Sequence, residues 1–114
     1  YKHGCGLDNT ICCWGHDEYL YRVLINQNKK LKLNLPEEAL YIIRYHSLYL
    51  HHNKNSYSHL LNDKDKKYIE ILKHFNSYDL YSKSDIISEN KKKELQKYYS
   101  ELFVKFIGCD TLLI

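Results

Sequence analysis

The stretch LPEEALYIIRYH, residues 35–46, decides the fold class of this chain. Pro36 suits the first turn of a helix, where its missing N–H costs nothing, and Glu37 and Glu38 place negative charge at the positive helix end. Apolar residues then recur three and four positions apart, as they do on one buried face of a helix. We therefore expect a helix from Pro36 to about Tyr49.

The same kind of periodicity predicts three further helices, at about residues 10–25, 63–80 and 88–106. Ser88 is a suitable N-cap for the last helix, and Gly108 is suited to ending it. Val and Thr are rare and no segment alternates with a period of two, so no strand is predicted. The chain is therefore expected to be all-α, with about four main helices.

Composition excludes several classes of protein. The chain has 114 residues, 44% of them hydrophobic, and 12 Tyr, which favours a folded domain over disorder. A net charge of +3 without a dense basic stripe argues against nucleic-acid binding, and no apolar run approaches the ~18 residues of a membrane span. Four Cys without a C-x-x-C pair predict reduced thiols and a cytoplasmic location.

Three ionisable residues fall on the apolar faces of three different predicted helices: His16, His46 and Asp79. A buried carboxylate or imidazole needs a polar partner, so the three are best satisfied if they converge. A metal at that point would explain all three, and this donor set suits iron, manganese or zinc. The alternative is that each is an ordinary hydrogen-bonded residue of the core.

The remaining histidines are weaker candidates. His51, His52 and His59 fall in a polar segment and are expected to be solvated, and His74 lies off the apolar stripe of its helix. The pair His16 and Asp17 also spells the dyad of the HD phosphohydrolases, although a dipeptide arises by chance in many chains.

Longer blocks give a more specific comparison. Residues 14–21, WGHDEYLY, residues 35–39 and 43–49, and residues 75–83, FNSYDLYSK, resemble consecutive blocks of the myo-inositol oxygenase family. Residues 5–9 and 98–99 fit the same pattern. The resemblance covers nearly the whole chain in order.

The resemblance implies a non-haem di-iron enzyme that cleaves myo-inositol with dioxygen to D-glucuronate. It implies a partial HD-domain-like helical bundle, in which residues 1–114 are the C-terminal part of an inositol oxygenase domain and the N-terminal half is absent. Such a fragment is expected to be inactive alone. It would self-associate or pair with the missing N-terminal part, with no nucleic acid or membrane as partner.

The resemblance also implies residue roles. His16 and His46 match ligands of one iron, and Asp79 matches a ligand of the other. His46, Ser47 and Lys83 match positions at the substrate, Asp17 is not a ligand, and no catalytic acid or base is assigned. One departure is the run Leu50-His51-His52, which stands where Pro-Trp-His is common in the family.

The residues alone are also compatible with two other functions. One is an HD-type metal-dependent phosphohydrolase that uses His16 and Asp17, and the other is a non-catalytic helical interaction module. Asp17→Ala in the complete protein would be mild in an oxygenase and fatal in the phosphohydrolase. A complete protein that binds no iron and oxidises no inositol would leave the interaction module.

Overall fold

The computed structural model describes residues 1–31, 33–79 and 88–108, and within these ranges every regular element is helical. The α-helices are α1 (His16–Lys30), α2 (Glu37–Tyr45), the single turn α3 (Tyr49–His52), α4 (Asp63–Asp79) and α5 (Glu89–Phe106). Short 3-10 helices lie at Leu7–Asn9 and Ser58–Leu60. The predicted all-α class is confirmed, with four main helices in the described ranges.

The helix ends follow local chemistry. The Ser88 side chain accepts the N–H of Lys91 at the start of α5, and Gly108, with φ of +65°, follows its end. At the start of α4, Asn62 Oδ1 accepts the N–H of Asp65 while Asp65 Oδ2 accepts the N–H of Asn62. This reciprocal pair is a capping box, which satisfies two N–H groups that a helix end leaves free.

Helix α2 packs against both α1 and α4, and the core lies on the side of α2 that faces α4. Its buried apolar side chains are Leu7, Tyr41, Tyr45, Leu61, Tyr68 and Leu72. Leu7 comes from the segment ahead of α1, which runs alongside residues 59–60 through hydrogen bonds from Gly4 N to His59 O and from Gly6 N to Leu60 O. The N-terminal segment is therefore part of the core.

Much of the remaining apolar surface is open to solvent. Trp14, just ahead of α1, and Tyr19 and Leu20 in its first half are exposed, and so are Phe75 and Tyr78 on α4. Helix α5 buries no residue, and the N–H of Asn34 donates to Phe106 O near its end. None of the described helices combines the length and the apolar character needed to cross a membrane.

Candidate metal and substrate site

His16 is the first residue of α1, directly after the N-cap Gly15. Its side chain is 76% exposed, so the prediction that it lies on a buried stripe is wrong for this chain. Tyr19 and Leu20, the apolar residues three and four positions after His16, are also about half exposed, because α1 turns Glu18 and Gln27 inward instead. The imidazole Nδ1 of His16 lies 3.8 Å from Asp17 Oδ1.

His46 is the C-cap of α2 and is partly buried. Its Nδ1 lies 2.9 Å from the carbonyl oxygen of Ile43. A carbonyl can only accept, so Nδ1 carries the hydrogen and Nε2 keeps a free lone pair. Histidines that bind metals are commonly held in this way, with one ring nitrogen on a backbone carbonyl and the other free.

The structure brings three of the predicted site residues together. The rings of His16 and His46 lie 5.4 Å apart, edge to face at 76°, and Ser47 Oγ is 3.5 Å from His16 Nε2. Helix α4 reaches the same place, since the Phe75 ring lies 6.2 Å from the His46 ring. The beginning of α1, the end of α2 and the second half of α4 thus meet at one point.

Two predicted residues cannot be placed. Asp79 ends α4 one helical turn after Phe75, but its side chain lies outside the described part of the chain, and Lys83 lies outside it altogether. Among the described residues, no group of three or more His, Cys, Asp or Glu side chains could hold a metal. Two adjacent imidazoles, one with its Nε2 free, fit one part of a metal site, and the full ligand set stays a prediction.

A cavity of about 440 Å³ adjoins this cluster. Ser47, Asp17, Glu18 and Arg44 contribute polar groups to its wall, and much of the rest is apolar. A hydroxyl, two carboxylates and a guanidinium offer both donors and acceptors, as a ligand with several hydroxyl groups requires.

Beside the cavity, Arg44 joins α2 to α1 and to the N-terminal segment. Its Nε and Nη2 donate to the two carboxylate oxygens of Glu18 at 2.8 and 3.2 Å, and its Nη1 donates to Asp8 Oδ1 at 3.1 Å. Two parallel bonds to one carboxylate are the strongest form of an ion pair. The side chains of Arg44 and Glu18 are only 15% and 11% exposed, so this pair is largely shielded from solvent.

Asp8 is the second centre of this charged network. Lys64 Nζ donates to its Oδ2 at 2.7 Å, and the hydroxyl of Tyr45 donates to its Oδ1. Burial alone would raise the pKa of Asp8, but these two bonds and the charges of Lys64 and Arg44 together hold it below its usual value. The pKa of Glu18 is likewise lowered, because the hydrogen bonds and charges of Arg44 and Arg22 outweigh burial.

Known proteins of one family match nearly the whole of this chain. A family model described as myo-inositol oxygenase matches residues 1–112. The chain belongs to the myo-inositol oxygenase family. It is 46% identical over 109 residues to a probable inositol oxygenase of Oryza sativa subsp. japonica and 44% identical over 106 residues to an inositol oxygenase of Danio rerio. It is 47% identical over 107 residues to an inositol oxygenase of Dictyostelium discoideum.

Each of these alignments covers 93% of this chain but only 32–36% of the relative. The chain thus spans about a third of the length of the curated inositol oxygenases that it matches. The family assignment therefore rests on nearly all of this chain, while most of each relative has no counterpart in it.

His51 and His52 belong to the run that departs from the myo-inositol oxygenase pattern. The prediction that they are solvated is wrong. They lie in α3 and are only 1% and 2% exposed. His51 Nε2 lies 3.1 Å from the hydroxyl of Tyr41, and His52 Nε2 lies 3.0 Å from the carbonyl of His46. The polar residues around them suggested a loop, but the single turn of α3 presses both rings against α2. His59 and His74 are exposed, as expected.

Proposed function

We propose that this chain contributes part of the active site of an inositol oxygenase, a non-haem di-iron enzyme that converts myo-inositol and dioxygen to D-glucuronate. The observation that carries the proposal is the convergence of His16, His46 and Ser47, at ring and atom separations of 5.4 and 3.5 Å, in a chain that belongs to this family. The 114 residues would be the C-terminal part of the oxygenase domain and would be inactive alone.

In this proposal His16, His46 and Asp79 are iron ligands. When bound, iron would supply Lewis acidity toward neighbouring hydroxyl groups and a redox centre for the reaction with dioxygen, in which inositol is the net electron donor. The chain's own contribution is to hold its donors in place. The Ile43 carbonyl fixes the His46 ring with Nε2 free, and Asp17, 3.8 Å from Nδ1 of His16, is suited to orienting that ring from outside the metal.

The substrate would be held by His46, Ser47 and Lys83. Ser47 lies at the boundary between the two imidazoles and the cavity, so its hydroxyl can hydrogen-bond a polyol that reaches the metal. Arg44, fixed by Glu18 and Asp8, keeps the cavity wall in shape. The overall reaction balances as one inositol and one dioxygen giving one glucuronate and one water.

The test is made in the longest reading frame that contains this chain. Iron content and oxygen-dependent formation of D-glucuronate from myo-inositol are measured for the parent, for His46→Ala and His16→Ala, and for His59→Ala as the control. His59 is exposed and its backbone carbonyl, not its ring, makes the contact to Gly4. We expect both ligand variants to lose iron and at least ~100-fold in activity, while the control retains both. Full iron and activity in His46→Ala would overturn the proposal.

The phosphohydrolase alternative depends on Asp17. Because this carboxylate lies near the Nδ1 of His16, the position of a ring-orienting partner, we expect Asp17→Ala to lower the activity only mildly, by ~10-fold or less. Release of phosphate from phosphate esters by the parent, abolished in Asp17→Ala, would favour the alternative. A parent that takes up no iron and performs neither reaction would leave the interaction module.

The open apolar surface beside the site also belongs to this proposal. Trp14, Tyr19 and Leu20, close to His16 in the sequence, and Tyr78, on the helix that reaches His46, are between 45% and 66% exposed. Exposed apolar side chains of this size mark an interaction site where they form a patch. We propose that it is covered by a further part of the oxygenase, or by a second copy of this chain, which sedimentation over a range of concentrations would distinguish.

The free thiols of Cys5, Cys12 and Cys13 suit the reducing conditions of the cytoplasm.

A further inference from the structure

The C-terminal end of α2 is held by a histidine that the sequence pattern did not single out. His52 Nε2 lies 3.0 Å from the carbonyl oxygen of His46, the C-cap residue of α2. A helix leaves its last carbonyl groups without partners, and a histidine side chain can satisfy one of them. Since a carbonyl only accepts, Nε2 of His52 must donate, and its Nδ1 carries the lone pair.

The two nitrogens of His52 have different surroundings. The side chain is 2% exposed, and Nδ1 has no hydrogen-bond partner in the described part of the chain. A buried polar atom without a partner destabilises a fold. The bond from Nε2 to the His46 carbonyl is therefore the polar contact that holds this ring in its position.

That bond fixes the peptide unit between His46 and Ser47. The His46 carbonyl and the Ser47 N–H belong to the same rigid plane. If the plane turned about the Cα–C bond of His46, the Cα of Ser47 would swing with it, and Ser47 Oγ would leave its position 3.5 Å from His16 Nε2. The His46 ring is held separately through Ile43, so the loss of His52 would act mainly on Ser47.

We propose that His52 is a positioning residue that anchors the peptide between His46 and Ser47 and so aims the Ser47 hydroxyl at the site. The structural part of this inference stands on the bond itself, and its consequence for substrate binding rests on the proposed oxygenase function. His52 acts through Ser47, and the contact that carries its role is the one with the His46 carbonyl.

His51 provides a matched control. It is the neighbouring residue, it has the same side chain, and it is equally buried at 1% exposed. Its Nε2 meets the Tyr41 hydroxyl and not the His46 carbonyl. Loss of either ring leaves a similar void in the core, but only loss of His52 frees the peptide.

The first test needs no substitution. In the ¹⁵N-histidine-labelled chain, long-range proton–nitrogen spectra should show His52 with its hydrogen on Nε2. The tautomer with the hydrogen on Nδ1 would overturn the inference.

The second test compares His52→Leu, His52→Gln and His51→Leu by amide hydrogen exchange. The Leu48 N–H donates to Tyr45 O within the turn that follows His46, so its exchange reports on that turn. We expect at least ~10-fold faster exchange at Leu48 in His52→Leu relative to the α4 amides. His52→Gln, whose amide can still donate, should restore the slow rate, and His51→Leu should leave the ratio unchanged. Equal effects of the two Leu variants would overturn the positioning role.

The third test measures kinetics in the longest reading frame that contains the chain. His52→Leu should raise the KM for myo-inositol ~10-fold or more with a smaller change in kcat, His52→Gln should recover most of it, and His51→Leu should leave KM unchanged. An unchanged KM in His52→Leu contradicts the inference. A parent without inositol turnover counts against the proposed function alone, because the spectra and the exchange rates decide the anchoring separately.

Discussion

Asp65 Oδ2 accepts the backbone N–H of Leu7 at 3.0 Å, joining residues that lie 58 positions apart. The same carboxylate accepts the hydroxyl of Tyr41 at 2.9 Å and the N–H of Asn62 at 3.1 Å. Its side chain is only 1% exposed, and these donors replace the water that it has lost. One buried carboxylate thus ties the N-terminal segment to α2 and to the start of α4.

Replacing this carboxylate should be strongly destabilising. Asp65→Ala removes the acceptor of two buried donors, the Leu7 N–H and the Tyr41 hydroxyl, and of the partly buried Asn62 N–H. We therefore expect the free energy of unfolding to fall by at least about 3 kcal/mol. The control is Asp63→Ala, at an exposed position in the same helical turn, which should cost less than about 1 kcal/mol. Urea unfolding measures both, and similar values for the two variants would contradict this account of the core.

Gly6 should tolerate no side chain. Its φ is +89°, and a Cβ there would lie 2.2 Å from Asn62 Nδ2, in the side chain that caps α4. Backbone strain and the loss of the cap together predict a cost of about 2–4 kcal/mol for Gly6→Ala. Gly4 also has a positive φ, of +70°, but a Cβ there meets only an atom at 3.8 Å. Gly4→Ala should therefore show the strain alone, and a cost as large as that of Gly6→Ala would argue against the contact with Asn62.

Arg44 should not be replaceable by Lys. A lysine offers a single ammonium group and cannot reproduce two parallel bonds to Glu18 together with one to Asp8. We expect Arg44→Lys to lower the free energy of unfolding by about 2 kcal/mol. Arg22 also donates to Glu18, but its side chain is 63% exposed, so Arg22→Lys should change stability by less than about 1 kcal/mol. Thermal unfolding of both variants would show the difference, and an equal loss would contradict it.

Acid should weaken the fold through His51 before it affects the carboxylates. Burial lowers the pKa of His51 from 6.5 to about 4, with His52 and Lys73 adding to the effect and the charge of Asp65 opposing it. Between these two pH values the unfolded chain binds more protons at this residue, so stability falls as the pH falls. The full effect is about 3 kcal/mol.

The paired carboxylates act in a lower pH range. The lowered pKa values of Asp8 and Glu18 mean that their stabilising effect is present above the unfolded values of 3.8 and 4.5 and is lost only below them. His51→Gln should therefore flatten the decline in stability between pH 6.5 and pH 4.5 and leave the steeper loss below that range. An unchanged decline in this variant would show that His51 does not cause it.

The sequence predicted the boundaries of those helices whose ends are set by capping residues next to them in the chain. The predicted range 63–80 corresponds to α4, and Ser88 and Gly108 bound α5 as expected. The first helix begins at His16 and not near Thr10, because Gly15 is its N-cap in extended conformation. It continues to Lys30, since Lys29 and Lys30 favour the negative end of a helix.

The sequence did not predict which polar residues are buried. Arg44, Glu18 and Asp8 satisfy one another across three segments, and nothing in the spacing along any one helix shows that they meet. His51 and His52 were misplaced for the same reason, because their burial comes from the packing of α3 and not from local periodicity. The sequence did predict that His16 and His46 lie close together, but not how exposed they are. The His16 side chain is largely exposed and His46 is only partly buried.

Trp14 is the single tryptophan of the chain, and it stands exposed on the apolar surface beside His16, with the Arg22 guanidinium 5.9 Å from its ring centre. We therefore expect its fluorescence to be that of a hydrated indole, and all tryptophan emission of the chain comes from this one position. Anything that covers this surface would displace water from the ring and move the emission toward the blue. The protein thus carries its own optical reporter for the occupation of the face around the two histidines, and no added dye is needed to follow it.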